Sequence, residues 1–543
     1  MKNLRKIIVI ISALALLTAC GIAKETPDDS LFADAVKISL SDEGITTNGE
    51  TVTTDTYSAV YTANDIVYYE EGKDFTYGEG TDADAHSKEE ADAHTVVHIA
   101  KPGTYSLSGK LSQGQIAIDL GEDAKENPEA KVTLILNGAD ITCTVAPAII
   151  FYNVYECGSD DTETATKDVD TTSAGANVII ADSSENTVNG SYVARIYKAD
   201  TVELSEDGTE VADAKKLHKY DAAFYSKMSM NVSSGEKGTG VLNIGAENEG
   251  LDSELHLTIN GGNINIKSGN DGINTNEDNV SVTTVNGGNL NIVVTGETGE
   301  GDGIDSNGWL VINGGTVTTS ACNNSADAGI DSDLGIHISG GTVISTGHML
   351  DRIEDGGQTY AVFNFASVKS GEEVITLKNS DGKELISHKP VNAYSILIYS
   401  SPELTAGDYT LWSDGKQLQG SIGGMMGGHG MRPGGMEFPE GERPEMPEGE
   451  IPEGFTPPEK PENGEMPEGF TPPEMPEGQE PPEGFDPADR KEPPTGENGE
   501  FPMKGERPEM PFEENSGEMN AEMSEIFKIT DKGNMFGGIT AKE

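Results

Sequence analysis

The sequence predicts an all-β chain: a right-handed parallel β-helix with a small C-terminal antiparallel β-domain and a disordered Pro/Glu/Gly-rich insert. Three observations lead there. A tetrad of Gly, an aliphatic residue, Asp or Asn, and Ser or Thr occurs four times, as Gly250-Leu251-Asp252-Ser253, Gly272-Ile273-Asn274-Thr275, Gly303-Ile304-Asp305-Ser306 and Gly329-Ile330-Asp331-Ser332. Matched turns at Asn260-Gly261-Gly262, Asn286-Gly287-Gly288, Asn313-Gly314-Gly315 and Ser339-Gly340-Gly341 recur every 26 or 27 residues. A fixed period of roughly 20 to 50 residues marks stacked units that bury their faces only against neighbours. Between the turns, apolar and polar residues alternate, as in Leu255, Leu257 and Ile259 against His256 and Thr258. That period of two belongs to a half-buried strand.

Three short strands per repeat, joined by Gly, Asn and Asp turns, describe a triangular coil. Those residues tolerate the left-handed backbone that tight turns need. Propeller blades need roughly 40 residues or more, and the Leu-rich framework of leucine-rich repeats is absent. Val280 and Val282 fall out of phase with Val285, which predicts a bulge in that rung.

The remaining elements follow in order. Lys2, Arg5 and Lys6 precede an apolar run from Ile7 to Leu17, too short to span a bilayer. Leu17-Thr18-Ala19-Cys20 then reads as a lipoprotein cleavage site, with lipid attached to the Cys20 thiol. Residues 1–20 are therefore read as a lipoprotein signal peptide and 21–94 as a tether with an acidic N-terminal segment. The β-helix spans 95–350, and a C-terminal β-domain or cap follows over 351–422. Residues 423–525 form a Pro/Glu/Gly/Met-rich segment, and 526–543 a strand-like tail. Twenty of the 26 prolines lie from Pro433 to Pro511, in a composition that buries too little apolar surface to offset chain entropy. That segment is either a passive solvated insert or a spacer that touches the cell wall. The expected location is the cell surface, lipid-anchored to the extracytoplasmic face of a bacterial membrane.

A net charge of −57 argues against nucleic acid and against an anionic membrane, beyond the N-terminal lipid, as partners. Cys143, Cys157 and Cys322 offer no metal-binding spacing, and whether Cys143 bridges Cys157 stays open. Histidines 94, 98, 256 and 337 are scattered and read as surface residues.

Stacking puts equivalent positions of successive coils about 4.8 Å apart. Asp252, Asn274, Asp305 and Asp331 then form one column. Asp271 and Asp302 stand three residues before Asn274 and Asp305, with Asp327 and Asp333 close to Asp331. Carboxylates so close repel. Ca²⁺ offsets this naturally, because it takes oxygen ligands from Asp, Asn and backbone carbonyls. The alternative is an Asn/Asp ladder without metal, which suits Asn274 better than three acids in one column. Trp309 and Lys267 are the candidate carbohydrate contacts, as the one aromatic residue and the one Lys or Arg of the regular coils.

From about Val96 to Trp412 the chain resembles bacterial β-helix lipoproteins of a carbohydrate-binding family, pectate-lyase-like in fold, with cellulose- or pectin-binding domains. The matching stretches are Pro102-Gly-Thr-Tyr-Ser-Leu-Ser-Gly109, Val132-Thr-Leu-Ile-Leu-Asn-Gly138, Asp221-Ala-Ala-Phe-Tyr-Ser226 and the repeats above. The resemblance implies binding of plant-wall or other acidic polysaccharide, calcium in the coils, and no demonstrated need for catalysis. Acidic inserts at 158–173 and 199–216 depart from it. The expectation is a monomeric, surface-anchored, calcium-dependent polysaccharide-binding protein that is not an enzyme. The alternatives are a structural or adhesive surface protein and a pectate-type lyase. A lyase needs a strong base beside the metal, and the only arginines of the folded part are Arg195 and Arg352, outside the regular coils.

Overall fold

A computed structural model describes residues 32–205, 208–423 and 523–542, all within one compact unit. Cys20 and nearly all of the Pro/Glu/Gly/Met-rich segment lie outside the described residues. The described chain is nearly all β, with a single five-residue α-helix, Lys88–Asp92, and two short 3₁₀ turns. Ser87 and Glu90 close a capping box at that helix's start.

The repeats fold into three columns of parallel strands, and each circuit adds one strand to each column until the last, in which residues 329–332 form no strand. The first column contains Ala222–Ser226, Glu249–Ser253, Ile273–Thr275 and Ile304–Ser306 in successive register. The second contains Met230–Ser234, His256–Ile259, Val282–Val285, Trp309–Ile312 and Gly335–Ile338. The third contains Val241–Ala246, Asn263–Ser268, Asn289–Val294, Thr316–Ser320 and Thr342–Gly347. Earlier circuits extend the same columns, through the long strands Gly103–Leu111 and Val132–Thr142.

Alternation explains the packing. Leu251, Ile273 and Ile304 stack directly in the first column, and all three are fully buried. One continuous core runs from Ile38 to Val343 and on to Ile398. The Asn-Gly-Gly turns hold it tight. Gly288 has φ +87°, and a Cβ there would lie 2.6 Å from the Gly262 carbonyl oxygen. Only glycine lets consecutive circuits approach this closely.

Both ends of the stack are covered by antiparallel pairing. Val60–Ala63 lies antiparallel on Thr95–Ile99. At the other end Thr342–Gly347 pairs antiparallel with Tyr394–Ser400, which opens a second core around Phe363, Phe527 and Phe536. Phe527–Ile529 and Asn534–Ala541 pair with Gly407–Ser413 and Tyr360–Lys369 respectively.

The structure differs from the sequence reading at three places. Val36–Leu40 is not tether but a strand, parallel to Gly103–Leu111. The rung at Val282–Val285 carries no bulge: its register runs unbroken against both neighbours. Val282 faces outward between His256 and Trp309, while Thr283 turns inward beside Thr275. His94 and His256 are buried rather than superficial, and His256 Nδ1 accepts the Val282 N–H at 3.2 Å. The pairing left open by the sequence is absent: Cys143, Cys157 and Cys322 are all free thiols.

Stacked burial of this kind makes a definite prediction for Ile304, which is fully enclosed. Ile304→Ala should cost about 2–5 kcal/mol in urea-induced unfolding. A loss below about 0.5 kcal/mol, the range of ordinary surface substitutions, would contradict an in-register core.

Candidate functional site

The tetrads dictate the site. In a strand, residues i and i+2 share a face. With Leu251, Ile273 and Ile304 inside, and Ser253, Thr275 and Ser306 inside with them, the residue between them must point outward. Asp252, Asn274 and Asp305 are therefore aligned on the outer face of the first column, in direct register. Asp331 continues the line, its N–H donating to the Ile304 carbonyl at 2.7 Å.

Two further ladders flank this one. Glu249, Asp271 and Asp302 each stand three residues earlier and carry the same spacings of 22 and 31 residues. Glu254, Asn276, Asn307 and Asp333 stand two residues later, and each donates its N–H to a carbonyl of the neighbouring circuit. The outer face of this column is thus a ledge of acids and amides.

The ledge is not open surface. Asp252 is fully buried, and Glu249 and Asn274 are only 4% and 7% exposed. Burial, reinforced by neighbouring carboxylates, pushes the carboxyl groups upward: Asp252 to about 8, Asp271 to about 7, Asp302 to about 10, and Asp305 and Asp331 each to about 7. Burial likewise raises Glu254 to about 7, and Glu249 well above the usual range.

Hydrogen bonds fix the geometry. Asp271 Oδ1 accepts the Asp302 N–H at 2.7 Å, and Asp302 Oδ1 accepts the Ala328 N–H at 2.5 Å. Asp327 Oδ2 accepts the Gly301 N–H at 2.7 Å. Asn276 Nδ2 lies 3.0 Å from both Asp252 oxygens. Asn274 Nδ2 donates to Glu249 Oε1 at 3.3 Å, while Asn274 Oδ1 and Glu249 Oε2 are buried without a partner.

The two ends of the ledge handle their charge differently. Near Asp252 the protein supplies a cation. Lys219 Nζ lies 2.5 Å from Asp221 Oδ2. Burial works against its charge, but Asp221, Glu249 and Asp252 together raise the Lys219 pKa. At the other end Asp302, Asp305 and Asp331 have oxygens within 4.8 Å of one another. Apart from burial, the side chains that act most strongly on these three are further carboxylates: Asp271, Asp333 and Asp351.

All eight candidate metal ligands lie along this one edge, and the tightest cluster holds three of them. The two candidate carbohydrate contacts are not brought together. Trp309 is half-buried on the outer face of the second column, between Val282 and Gly335. Lys267 is exposed on the third column, between Gly245 and Val293. Sequence reasoning missed Glu249, although the three-residue offset that selects Asp271 and Asp302 also selects it before Asp252. It missed Lys219 too, because that residue belongs to an insert strand, Lys216–Tyr220, which pairs with Val193–Tyr197.

These shifts set a pH dependence for the protein in chelator. Each raised carboxyl binds a proton more readily in the folded state than in the unfolded chain, where its value is 3.8 for Asp and 4.5 for Glu. The folded state then holds more protons, and stability falls as pH rises. With EGTA present, the melting temperature should drop steadily between about pH 4 and pH 8. Asp305→Asn should flatten that slope, and a slope unchanged in the variant would remove Asp305 from the cause.

Residues 93–382 match the profile of a family described as carbohydrate-binding domain-containing protein. A curated relative from Acetivibrio thermocellus carries the same description. It is 28% identical over 173 residues, covering 32% of this chain and 45% of the relative. The chain thus spans about half the length of that curated protein. A solved structure of a polysaccharide lyase-like protein from C. thermocellum, in a gadolinium derivative, shares 20% identity with a TM-score of 0.30. The matched part is 57% of this chain and 93% of the other. With more than half its length matched by one profile, this chain belongs to the carbohydrate-binding domain-containing protein family.

Proposed function

We propose that this chain is a non-catalytic, calcium-dependent polysaccharide-binding protein. Its scaffold in this reading is a right-handed parallel β-helix, held as a monomer at the cell surface by lipid on Cys20. Membership of a carbohydrate-binding family supports a glycan partner. The unbroken parallel register supports the helix, and right-handed crossover is the rule for parallel strands in one sheet.

One observation carries the calcium reading: three carboxylates with oxygens within 4.8 Å of one another, surrounded by more acids. The donor set is all oxygen, which suits a hard cation. Asn274 Oδ1 adds a buried carbonyl oxygen without a partner on the same ladder. Asp302, Asp305 and Asp331 would hold the ion, with Asp271 and Asp327 as neighbours. Bound there, calcium would offset the carboxylates gathered at this end of the ledge and offer a site for a uronate carboxylate.

The chain's own residues prepare that site. Backbone donors hold the Asp271, Asp302 and Asp327 side chains in place. At the Asp252 end, Lys219 lowers the cost of the Asp252 charge and Asn276 donates to both of its carboxylate oxygens. Trp309, one turn beyond Asp305, offers a half-buried indole at the corner of the two columns.

The lyase reading has less support. Arg195 is engaged with Glu79 at 3.5 Å, and Arg352 donates to the Leu334 carbonyl. The acids around Lys219 strengthen its hold on its proton, which is the wrong direction for a base.

Excess Ca²⁺ should raise the melting temperature relative to EGTA, because a ligand that binds only the folded state stabilises it. The Asp305→Asn/Asp331→Asn double variant should abolish that rise. No shift in the native protein would end the calcium reading. On a glycan array, acidic plant-wall polysaccharides should be retained with calcium and released by EGTA. Failure to retain any glycan would end the binding reading itself.

A further inference from the structure

We propose a second glycan subsite, for an uncharged polysaccharide chain, in the cleft between residues 167–172 and the outer face of the second column. The inference rests on the polysaccharide-binding reading but not on calcium. The cleft has a volume of about 630 Å³, within the roughly 300–1,000 Å³ of ordinary ligand clefts.

Its floor is a ladder. Asn231, Thr258, Thr284, Val311 and His337 follow one another in strict register, one per circuit. They face outward, yet Thr284 is only 9% exposed and Val311 only 6%. The insert is what covers them. It is tied down at one end, where the Thr171 hydroxyl lies 2.7 Å from both Asn231 Oδ1 and Thr258 Oγ1. Asn231 Nδ2 also donates to the Thr171 carbonyl at 2.7 Å. At the other end Lys167 Nζ reaches Glu354 Oε2 at 3.9 Å. Between these ties the strap stands away from the floor and leaves the cleft.

A second ladder forms the rim. Asn286 Nδ2 donates to Asn260 Oδ1 at 2.9 Å, and Asn313 Nδ2 donates to Asn286 Oδ1 at 3.0 Å. Each amide has two N–H donors, so the one not used in the ladder remains available. The amides are thereby held in fixed orientation before any ligand arrives, which lowers the cost of binding.

The chemistry selects a neutral glycan. The floor contains no carboxylate, and the strap that faces it carries Asp168 and Asp170, whose charge opposes an acidic chain. Amide and hydroxyl groups repeat about every 4.8 Å along the stack, a spacing comparable to one pyranose unit. They match sugar hydroxyls, and Val311 offers an apolar spot for the C–H face of a ring. A polyuronate finds no free cation here, because Lys167 and His337 both lie against Glu354.

The test is calorimetry on the full chain with neutral β-linked hexasaccharides (glucan, xylan and mannan) and with oligogalacturonate, each with Ca²⁺ and with EGTA. At least one neutral hexasaccharide should bind equally well in both. Val311→Arg, which fills the cleft, and Asn286→Ala, at an exposed turn, should each weaken it at least tenfold. Asp305→Asn/Asp331→Asn should leave it unchanged. Asn286→Ala keeps the test alive if Val311→Arg does not fold. Neutral binding that survives both cleft variants overturns the proposal. So does calcium-dependent binding of oligogalacturonate with no neutral ligand, an outcome that leaves the calcium ledge standing. Binding of no glycan of either kind overturns both readings.

Discussion

Parallel register is the constraint from which everything else follows. A strand paired in parallel must present the same side of its residue sequence as its neighbours, circuit after circuit. Once Leu251, Ile273 and Ile304 are committed to the interior, the intervening residues have no choice of face. Asp252, Asn274 and Asp305 are then brought together by the backbone, not by any attraction between them. Their mutual repulsion and desolvation oppose the fold. The hydrophobic core, continuous over the stack, outweighs that opposition.

The opposition is met in two ways along the same ledge. At Asp252 an insert returns a lysine to the acids, and Asn276 donates to both carboxylate oxygens. At Asp302, Asp305 and Asp331 no such side chain dominates, and the nearest strong influences are acids. One ladder therefore has an end that draws on the chain's own lysine and amide and an end where the side chains acting most strongly are further acids. The contrast within a single molecule argues more strongly for a cation site than an acidic cluster alone would.

Much of this was legible in the sequence, because repeats convert linear spacing into spatial neighbourhood. The tetrads placed Asp252, Asn274, Asp305 and Asp331 in one line, and the three-residue offset added Asp271 and Asp302. The same logic failed wherever a residue's position is set by a loop instead of the register. Lys219 reaches the ledge from an insert with no periodicity of its own. Thr171 reaches Asn231 and Thr258 across a segment read only as an acidic projection. Val282 misled for a different reason. Its apolar side chain faces outward, but His256 and Trp309 flank it on the same face, so burial there does not report the interior. The strand Val36–Leu40 was read as tether because one strand without a repeat carries little periodic signal.

The acid ledge and the amide- and hydroxyl-bearing floor of the cleft are two readouts of one period. The circuit that sets Asp252 in the first column sets Thr258 in the second and Asn260 at the following turn. The next sets Asn274, Thr284 and Asn286, and the one after sets Asp305, Val311 and Asn313. Each face therefore advances by the same step, and neither can slip without the other, since a one-residue slip would turn every core aliphatic outward. A linear polymer is the natural partner for such surfaces, because its own repeat runs along a line as the ladders do. A compact ligand would meet only one or two rungs and leave the others without purpose. Under the two proposals, the charge difference between adjacent columns would separate polymers by chemistry: carboxylate-bearing chains where the acids gather a cation, uncharged chains where amides and hydroxyls face the strap.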